Sequence, residues 1–250
     1  MKRLIIYRTL VIGGIVALLE VLCLTGVIDR ITMQAPHRIV RDLYRMLVSG
    51  RMNSAIVKTL SNTVVALVLA LSVGIVVGAL VHRWRALRDT LDPLFATYYA
   101  VPVFAFYPFF IVVFGLGDLP QILIAFMLGV VAMIVNTLNG LDRVPAVLVK
   151  TARIMRLSPI DTALRVMLPA AGPYIVTGIK LAVAYSVIGI VAGEFILATS
   201  GIGKRIAYSY DNFDNRTMYG MLLLLLLGVM IVNGALSAWE KRLHRRFGQQ

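Results

Sequence analysis

Charged residues are scarce in this 250-residue chain: 15% are Asp, Glu, Lys or Arg, against about a quarter in ordinary globular domains. Hydrophobic residues make up 59%, and the mean hydropathy is +0.85. So little polar surface cannot cover a particle in water, which excludes a soluble protein and places the chain in a bilayer. Cysteine is nearly absent. The lone Cys23, inside an apolar run, permits no disulfide framework or cysteine metal site within the chain and reads as packing. Leu22 before it, rather than a small residue, argues against lipoprotein processing. The three histidines, His37, His82 and His244, stand in separate loops or tails without metal-ligand spacing. Acids number 12 against 25 Lys and Arg, and inside the apolar runs only Glu20 and Glu194 are acidic, which speaks against an intramembrane protease. The net charge of +13 does not point to nucleic acid, because the basic residues cluster beside apolar runs, where anionic headgroups place them. Gly-Ile-Gly-Lys-Arg at 201 to 205 lacks the spacing and the Ser or Thr of a phosphate-binding loop. Neither catalysis nor a cofactor or metal in this chain is therefore expected. No internal repeat and no polar linker divide the sequence, so residues 1–250 read as one membrane domain.

What is present is a series of about six apolar runs, each near the 20 residues that cross a bilayer as a helix. They extend approximately from Leu4 to Ile28, Ile56 to Val81, Leu94 to Phe114, Leu119 to Leu138, Tyr174 to Ala198 and Met218 to Trp239. The first follows Lys2 and Arg3 as a signal peptide would, yet it is long, carries Glu20 and lacks a small-residue cleavage pattern, so it is expected to be retained. The expected fold is an all-α polytopic bundle. The N-terminus, the 82–93 loop, the 139–172 loop and the C-terminal tail hold 15 of the 25 Lys and Arg, and the other loops hold 9, which favours cytoplasmic termini. The segment from Asp29 to Asn53 sets Ile39, Leu43, Met46 and Leu47 at helical spacing among Arg38, Arg41 and Arg45. It fits either an amphipathic helix on the outer membrane surface or a solvated connector.

Within the second run, Ala66, Ala70, Gly74 and Gly78 recur every four residues, and Gly189 and Gly193 repeat the spacing in the fifth. Such a stripe admits a close neighbour, either a helix of the same chain or a second subunit. The third run is expected to be a kinked span, with Pro93, Pro102 and Pro108 among Tyr98, Tyr99, Phe104, Phe106, Tyr107, Phe109 and Phe110. It fits a translocation path or an aromatic packing face equally well.

The basic segment 150–169 carries the most information. Ser158, Pro159 and Asp161 supply an N-cap, a proline at the first helical position and an acid favoured by the helix dipole. The helix is expected to end before Pro169, with Ile160, Ala163, Leu164 and Met167 on one apolar face, too short to span and too apolar for water. The segment resembles the loop of binding-protein-dependent ABC importer permeases, whose pattern is E-A-A, three residues, G, nine residues, I-x-L-P. Ala152 stands at the second Ala, Arg156 at the Gly, and Val166, Leu168 and Pro169 at I-x-L-P. From about Lys58 to Ser209 the chain is similar to the nitrate, sulfonate and taurine branch of these permeases. LDPLFATYYAVPVFAFYPFFIVVFGLGD at 91–118, NTLNGLDRVP at 136–145, LPAAGPYIVTGIKLAVAYSVIGIVAGEF at 168–195 and SGIGKRI at 200–206 carry the likeness.

The resemblance implies a type I importer permease fold in the inner membrane, with a second permease subunit, cytoplasmic ATPase subunits that use ATP-Mg, and an extracytoplasmic solute-binding protein. The 150–169 helix would dock in a groove of the ATPase; the alternative is a helix lying against the membrane surface. Two departures stand out: the acidic first position is Lys150, and the Gly is Arg156, so the turn there is expected to differ or to move towards Leu157.

Glu194 matches a Glu of the family pattern, and an ionisable residue inside a span is a functional candidate. Bracing the outer gate is favoured over lining the solute path. Tyr98, Tyr99, Phe104, Asn136 and Asn139 are further path or gate candidates, and Lys180 is expected to snorkel to the headgroups. A proton-coupled secondary transporter, with Glu194 carrying protons, is the alternative. It would have no use for a docking helix. The resemblance implies import of a small anion such as a sulfonate, taurine or nitrate.

Overall fold

The computed structural model describes residues 2–29 and 32–247. In chain order its helices are α1 (Lys2–Leu24), α2 (Pro36–Val48), α3 (Asn53–Arg83), α4 (Arg85–Tyr98), α5 (Tyr107–Phe114), α6 (Asp118–Asp142), α7 (Ala146–Ile154), α8 (Pro159–Asp161), α9 (Leu168–Ala170), α10 (Gly172–Leu197), α11 (Ile202–Asp211) and α12 (Asn215–Phe247). A 3-10 turn at Val103–Phe106 precedes α5, and a π turn at Thr162–Met167 joins α8 to α9. Among the described residues, α3, α6, α10 and α12 are each long and apolar enough to cross a membrane.

The centre of the bundle is α6, gripped between α3 and α10. The small-residue stripe makes this possible. A Cβ on Gly74 would lie 2.5 Å from Met133 Cβ, and one on Gly78 2.7 Å from Thr137 Cβ, while Gly129 faces Ala70. On the other side, a Cβ on Gly189 would lie 2.5 Å from Ala125 Cα, and one on Gly193 2.8 Å from Gln121 Cβ. Both small-residue series therefore serve packing within the chain, and α3 runs parallel to α6 while α10 runs antiparallel. Helices this close exchange dispersion contacts that apolar lipid cannot replace with the same shape match. Ile124, Ala132 and Met133 of α6 have no exposed surface at all. By contrast, only 6% of the most apolar stretch of α12 is buried, against 61% for α6, so α12 turns its long apolar face outwards.

The third apolar run departs from expectation. It is not one kinked helix: α4 and the segment Val103–Phe114 meet at a bend of 91°. Pro102 caps the 3-10 turn and Pro108 sits in the first turn of α5, places where a missing N–H costs no helical bond. Only Pro93 lies inside a helix. The first run differs too. α1 stops at Leu24, four residues earlier than the run predicts, and a glycine at φ 78 follows at position 26.

The segment after α1 is a packed helix rather than a solvated connector. α2 buries Leu43 and rests Met46 near Gly220 at the start of α12. Glu20 accepts the His37 backbone N–H at 3.1 Å and pairs with the His37 ring, which fixes the start of α2. Lys180 forms an ion pair with Glu240 across α10 and α12, a partner the sequence did not indicate. For an ammonium inside a span, a carboxylate on a neighbouring helix offsets desolvation as a headgroup would.

Candidate functional site

The two ends of the bundle carry different constructions. At the Asp142 end, the loop between α6 and α10 is pinned at its stems. Asp142 accepts from His82 at 3.0 Å and pairs with Arg88, which joins the ends of α3, α4 and α6. The Arg143 guanidinium lies 4.9 Å from the Tyr174 ring centroid.

Helix α7 ends in a Schellman turn. The Leu157 N–H reaches the Ala152 carbonyl at 3.1 Å and the Arg156 N–H reaches the Arg153 carbonyl at 3.0 Å. The left-handed residue this motif needs is Arg156 itself, at φ 54. The turn has not moved to Leu157, so a residue other than glycine bears a conformation that costs roughly 1–2 kcal/mol. Ala152, at the second Ala of the loop pattern, is buried, whereas Lys150 is exposed.

The next helix begins as its sequence requires. Ser158 is extended, its Oγ accepts the Asp161 N–H at 3.0 Å, and its hydroxyl donates to the Asp161 carboxylate at 2.7 Å. Pro159 occupies the first turn, and Asp161 also pairs with Arg165 at 3.1 Å. The helix does not end before Pro169, however. It passes through the π turn and continues to Ala170. The wider turn relieves the contact between the Pro169 ring and the carbonyl four residues back that would stop an α-helix.

That turn also splits the expected apolar face, because a π turn advances fewer degrees per residue than an α turn. Ile160 and Leu164 point outwards, 71% and 60% exposed, and Ile154 and Met155 of the same loop are exposed too. Ala163, Met167 and Leu168 instead line a cavity of ≈ 640 Å³ between the loop and the ends of α3 and α6.

At the opposite end, Glu194 is fully buried. The Thr59 hydroxyl donates to its carboxylate, with oxygens at 2.8 and 2.9 Å, and accepts the Ile202 N–H at 2.8 Å. The Gly203 N–H donates to Glu194 at 2.9 Å. The carboxylate thus sits at the start of α11, where the helix dipole favours an anion. Gly201, at φ 108, leaves room for it: a Cβ there would lie 2.1 Å from the Glu194 carboxyl carbon. Nearby, Lys58 pairs with Asp118, which also accepts from Asn62 at 3.1 Å. Tyr107 donates to the Gly193 carbonyl at 3.1 Å and so ties the bent segment to α10. The sequence did not single out Thr59 or Asp118, named Tyr107 only as part of the aromatic run, and gave Gly201 and Gly203 no role beside Glu194. The polar residues near span ends were the available signal.

The remaining candidates separate into two groups. Tyr98 donates to the Met127 carbonyl at 2.9 Å, and Phe104 packs beside Val103, Tyr107 and Ile124. Tyr99 and Asn139 line one groove of ≈ 200 Å³ with Arg88, Asp92 and Phe95, and Tyr99 stacks towards Tyr185 at 6.4 Å. Asn136 donates to the Ala132 carbonyl of its own helix at 2.8 Å. Glu194 is thus not brought to this groove.

Comparison with known proteins matches this arrangement to a family. Residues 48–249 match the family described as binding-protein-dependent transport system inner membrane component, and the chain belongs to it. It is an ABC importer permease subunit, of a family in which separate subunits hydrolyse ATP. Such permeases work with ATPase and binding-protein partners. The nitrate import permease protein NrtB of Leptolyngbya laminosa is 32% identical over 160 residues, covering 64% of this chain and 57% of that protein. A putative aliphatic sulfonates transport permease protein, SsuC, of Bacillus subtilis strain 168 is 26% identical, covering 86% of this chain and 78% of its own length. The nitrate and sulfonate branch seen in the sequence is therefore the right one. A solved inward-facing structure of the MetNI methionine ABC transporter shares the type I importer fold, with a TM-score of 0.64 at 21% identity, covering 84% of this chain and 99% of that one.

Proposed function

We propose that this chain, as one membrane domain, forms half of the solute path of an importer for a small organic or inorganic anion, a sulfonate or nitrate being the model, delivered by a solute-binding protein. The nitrate and sulfonate relatives support the solute class. A second permease subunit completes the path, and cytoplasmic ATPase subunits loaded with ATP-Mg drive it. Termini and docking loop face the cytoplasm, so that cysteines placed at Ser158 and Asn212 in a Cys23→Ser background label from opposite sides of intact cells. Tyr99 and Asn139 line the path, while Glu194 braces the outer gate by holding α11 against α3 and α10. Being enclosed by Thr59, Gly201 and Gly203, Glu194 is poorly placed to carry protons as the secondary-transporter alternative requires.

The observation that carries the proposal is the exposure of Ile160 and Leu164 on a loop whose stems are otherwise braced. Their partner is the ATPase groove, and ATP-driven closure reaches the spans through α8, the π turn and α9 by a shift in population between two states. The test is Leu164→Asp. An unpaired carboxylate in an apolar groove costs several kcal/mol, so the variant inserts and folds but loses ATPase recruitment and solute-stimulated hydrolysis. Normal recruitment and transport in this variant, and in the matching Ile160 variant, would refute the docking role.

A further inference from the structure

We infer that Arg156 is a recognition residue: its guanidinium engages a carboxylate on the rim of the ATPase groove and so selects the ATPase this permease accepts. The inference rests on the docking reading above and adds the chemistry of the partner's surface.

Arg156 bears backbone strain that no contact among the described residues offsets. Arg156 holds φ 54 in the Schellman turn, a conformation any side chain bears at a cost and glycine bears freely. Its side chain is exposed, and among the described residues no ion pair or hydrogen bond engages its guanidinium. A cation near the end of α7 does gain from the helix dipole, but Arg153 already supplies one there at a relaxed position. Strained residues persist where function repays them, and here the repayment must lie outside the chain.

Charge and position then define the occupant. Arg156 directly follows exposed Met155 and lies four residues before exposed Ile160, within the apolar surface proposed to enter the groove. The segment 146–170 carries Lys150, Arg153, Arg156 and Arg165 against one acid, Asp161, which is already engaged by Ser158 and Arg165. The complementary surface is acidic. An anionic membrane would reward positive charge anywhere near it and needs no fixed direction. A protein carboxylate rewards one direction of approach, and the hydrogen-bonded turn fixes the Cα–Cβ direction from which the guanidinium reaches out.

The experiment uses the full chain in phosphatidylcholine nanodiscs and the purified ABC ATPase that co-purifies with the wild-type chain. Melting temperature and ATPase affinity are measured for wild type, Arg156→Gly, Arg156→Lys and Arg156→Glu, with Leu164→Asp as the docking control. The expected Arg156→Gly variant melts at a higher temperature yet binds the ATPase about tenfold more weakly, and loses the salt sensitivity of the wild type. Arg156→Glu binds more weakly still, and Arg156→Lys falls between wild type and Arg156→Gly. An Arg156→Gly variant with wild-type affinity overturns the inference. So does an affinity loss that appears only in phosphatidylglycerol-rich discs, which would make the contact one with lipid. If Leu164→Asp abolishes binding while Arg156→Gly does not weaken it, only the recognition role fails. If Leu164→Asp binds normally, the docking reading itself fails.

Discussion

The two ends of this bundle break the ordinary rule of burial in opposite ways. At one end a carboxylate, Glu194, has no exposed surface, and at the other Ile160 and Leu164 are mostly exposed. Glutamate is among the residues least often buried, so its burial requires a partner, while Ile160 and Leu164 together with Ile154 and Met155 leave four large apolar side chains exposed on one loop. For Glu194 every partner described belongs to the same chain: Thr59 and the backbone N–H of Gly203, in the space that Gly201 leaves open. For Ile160 and Leu164 none of the described residues covers them. The first construction is closed and sets the relative positions of α3, α10 and α11. The second is held at its stems and open at its surface, which is the arrangement the proposed docking requires.

Mutations that act on fold stability at one end should act on partner affinity at the other. Gly201→Ala should have the largest effect, because the added Cβ meets the Glu194 carboxyl group and φ 108 is a region restricted to glycine. A loss of about 4 kcal/mol or more is expected, read as failure to recover monodisperse protein. Glu194→Leu should follow, at about 3–5 kcal/mol, since it strands the Thr59 hydroxyl and the Gly203 N–H. Glu194→Gln keeps the shape and most of the hydrogen bonding, so about 1 kcal/mol of stability is lost and transport is retained. Loss of transport in an assembled Gln variant would assign the charge a direct part in the path.

At the open end, Ile160→Ala should leave the melting temperature within the change expected of a surface substitution, about 0.5 kcal/mol. The same variant should weaken ATPase binding by roughly tenfold, as measured by titration of the ATPase into nanodiscs. A clear drop in melting temperature with unchanged affinity would reverse the comparison. Ser158→Ala should have the smallest effect, removing one cap worth about 1 kcal/mol to the short helix. Binding should then fall only severalfold, without altered assembly.

The features legible in the sequence were those governed by residues close together in the chain. The start of α8 could be read because Ser158, Pro159 and Asp161 lie within one turn and cap it by local bonds. The amphipathic pattern of α2 was visible, but its docking on α12 was not, because a solvated connector and a packed helix share that spacing. The small-residue stripe showed that something would approach closely. It could not say whether this was α6 or another subunit, since both need the same smooth surface.

Composition, apolar run lengths and basic flanks by themselves determined a polytopic helical membrane protein with a capped amphipathic helix in its 150–169 loop, because hydrophobic transfer and helix capping act over short stretches. Tertiary structure alone decided that the third run breaks at Pro102, that Lys180 meets Glu240, and that the apolar face of the 150–169 segment divides at the π turn. It also brought Thr59 to Glu194 across 135 residues of sequence. Each of these pairings depends on which helices lie side by side, and that is set by packing summed over the whole bundle rather than by any residue's neighbours in the chain.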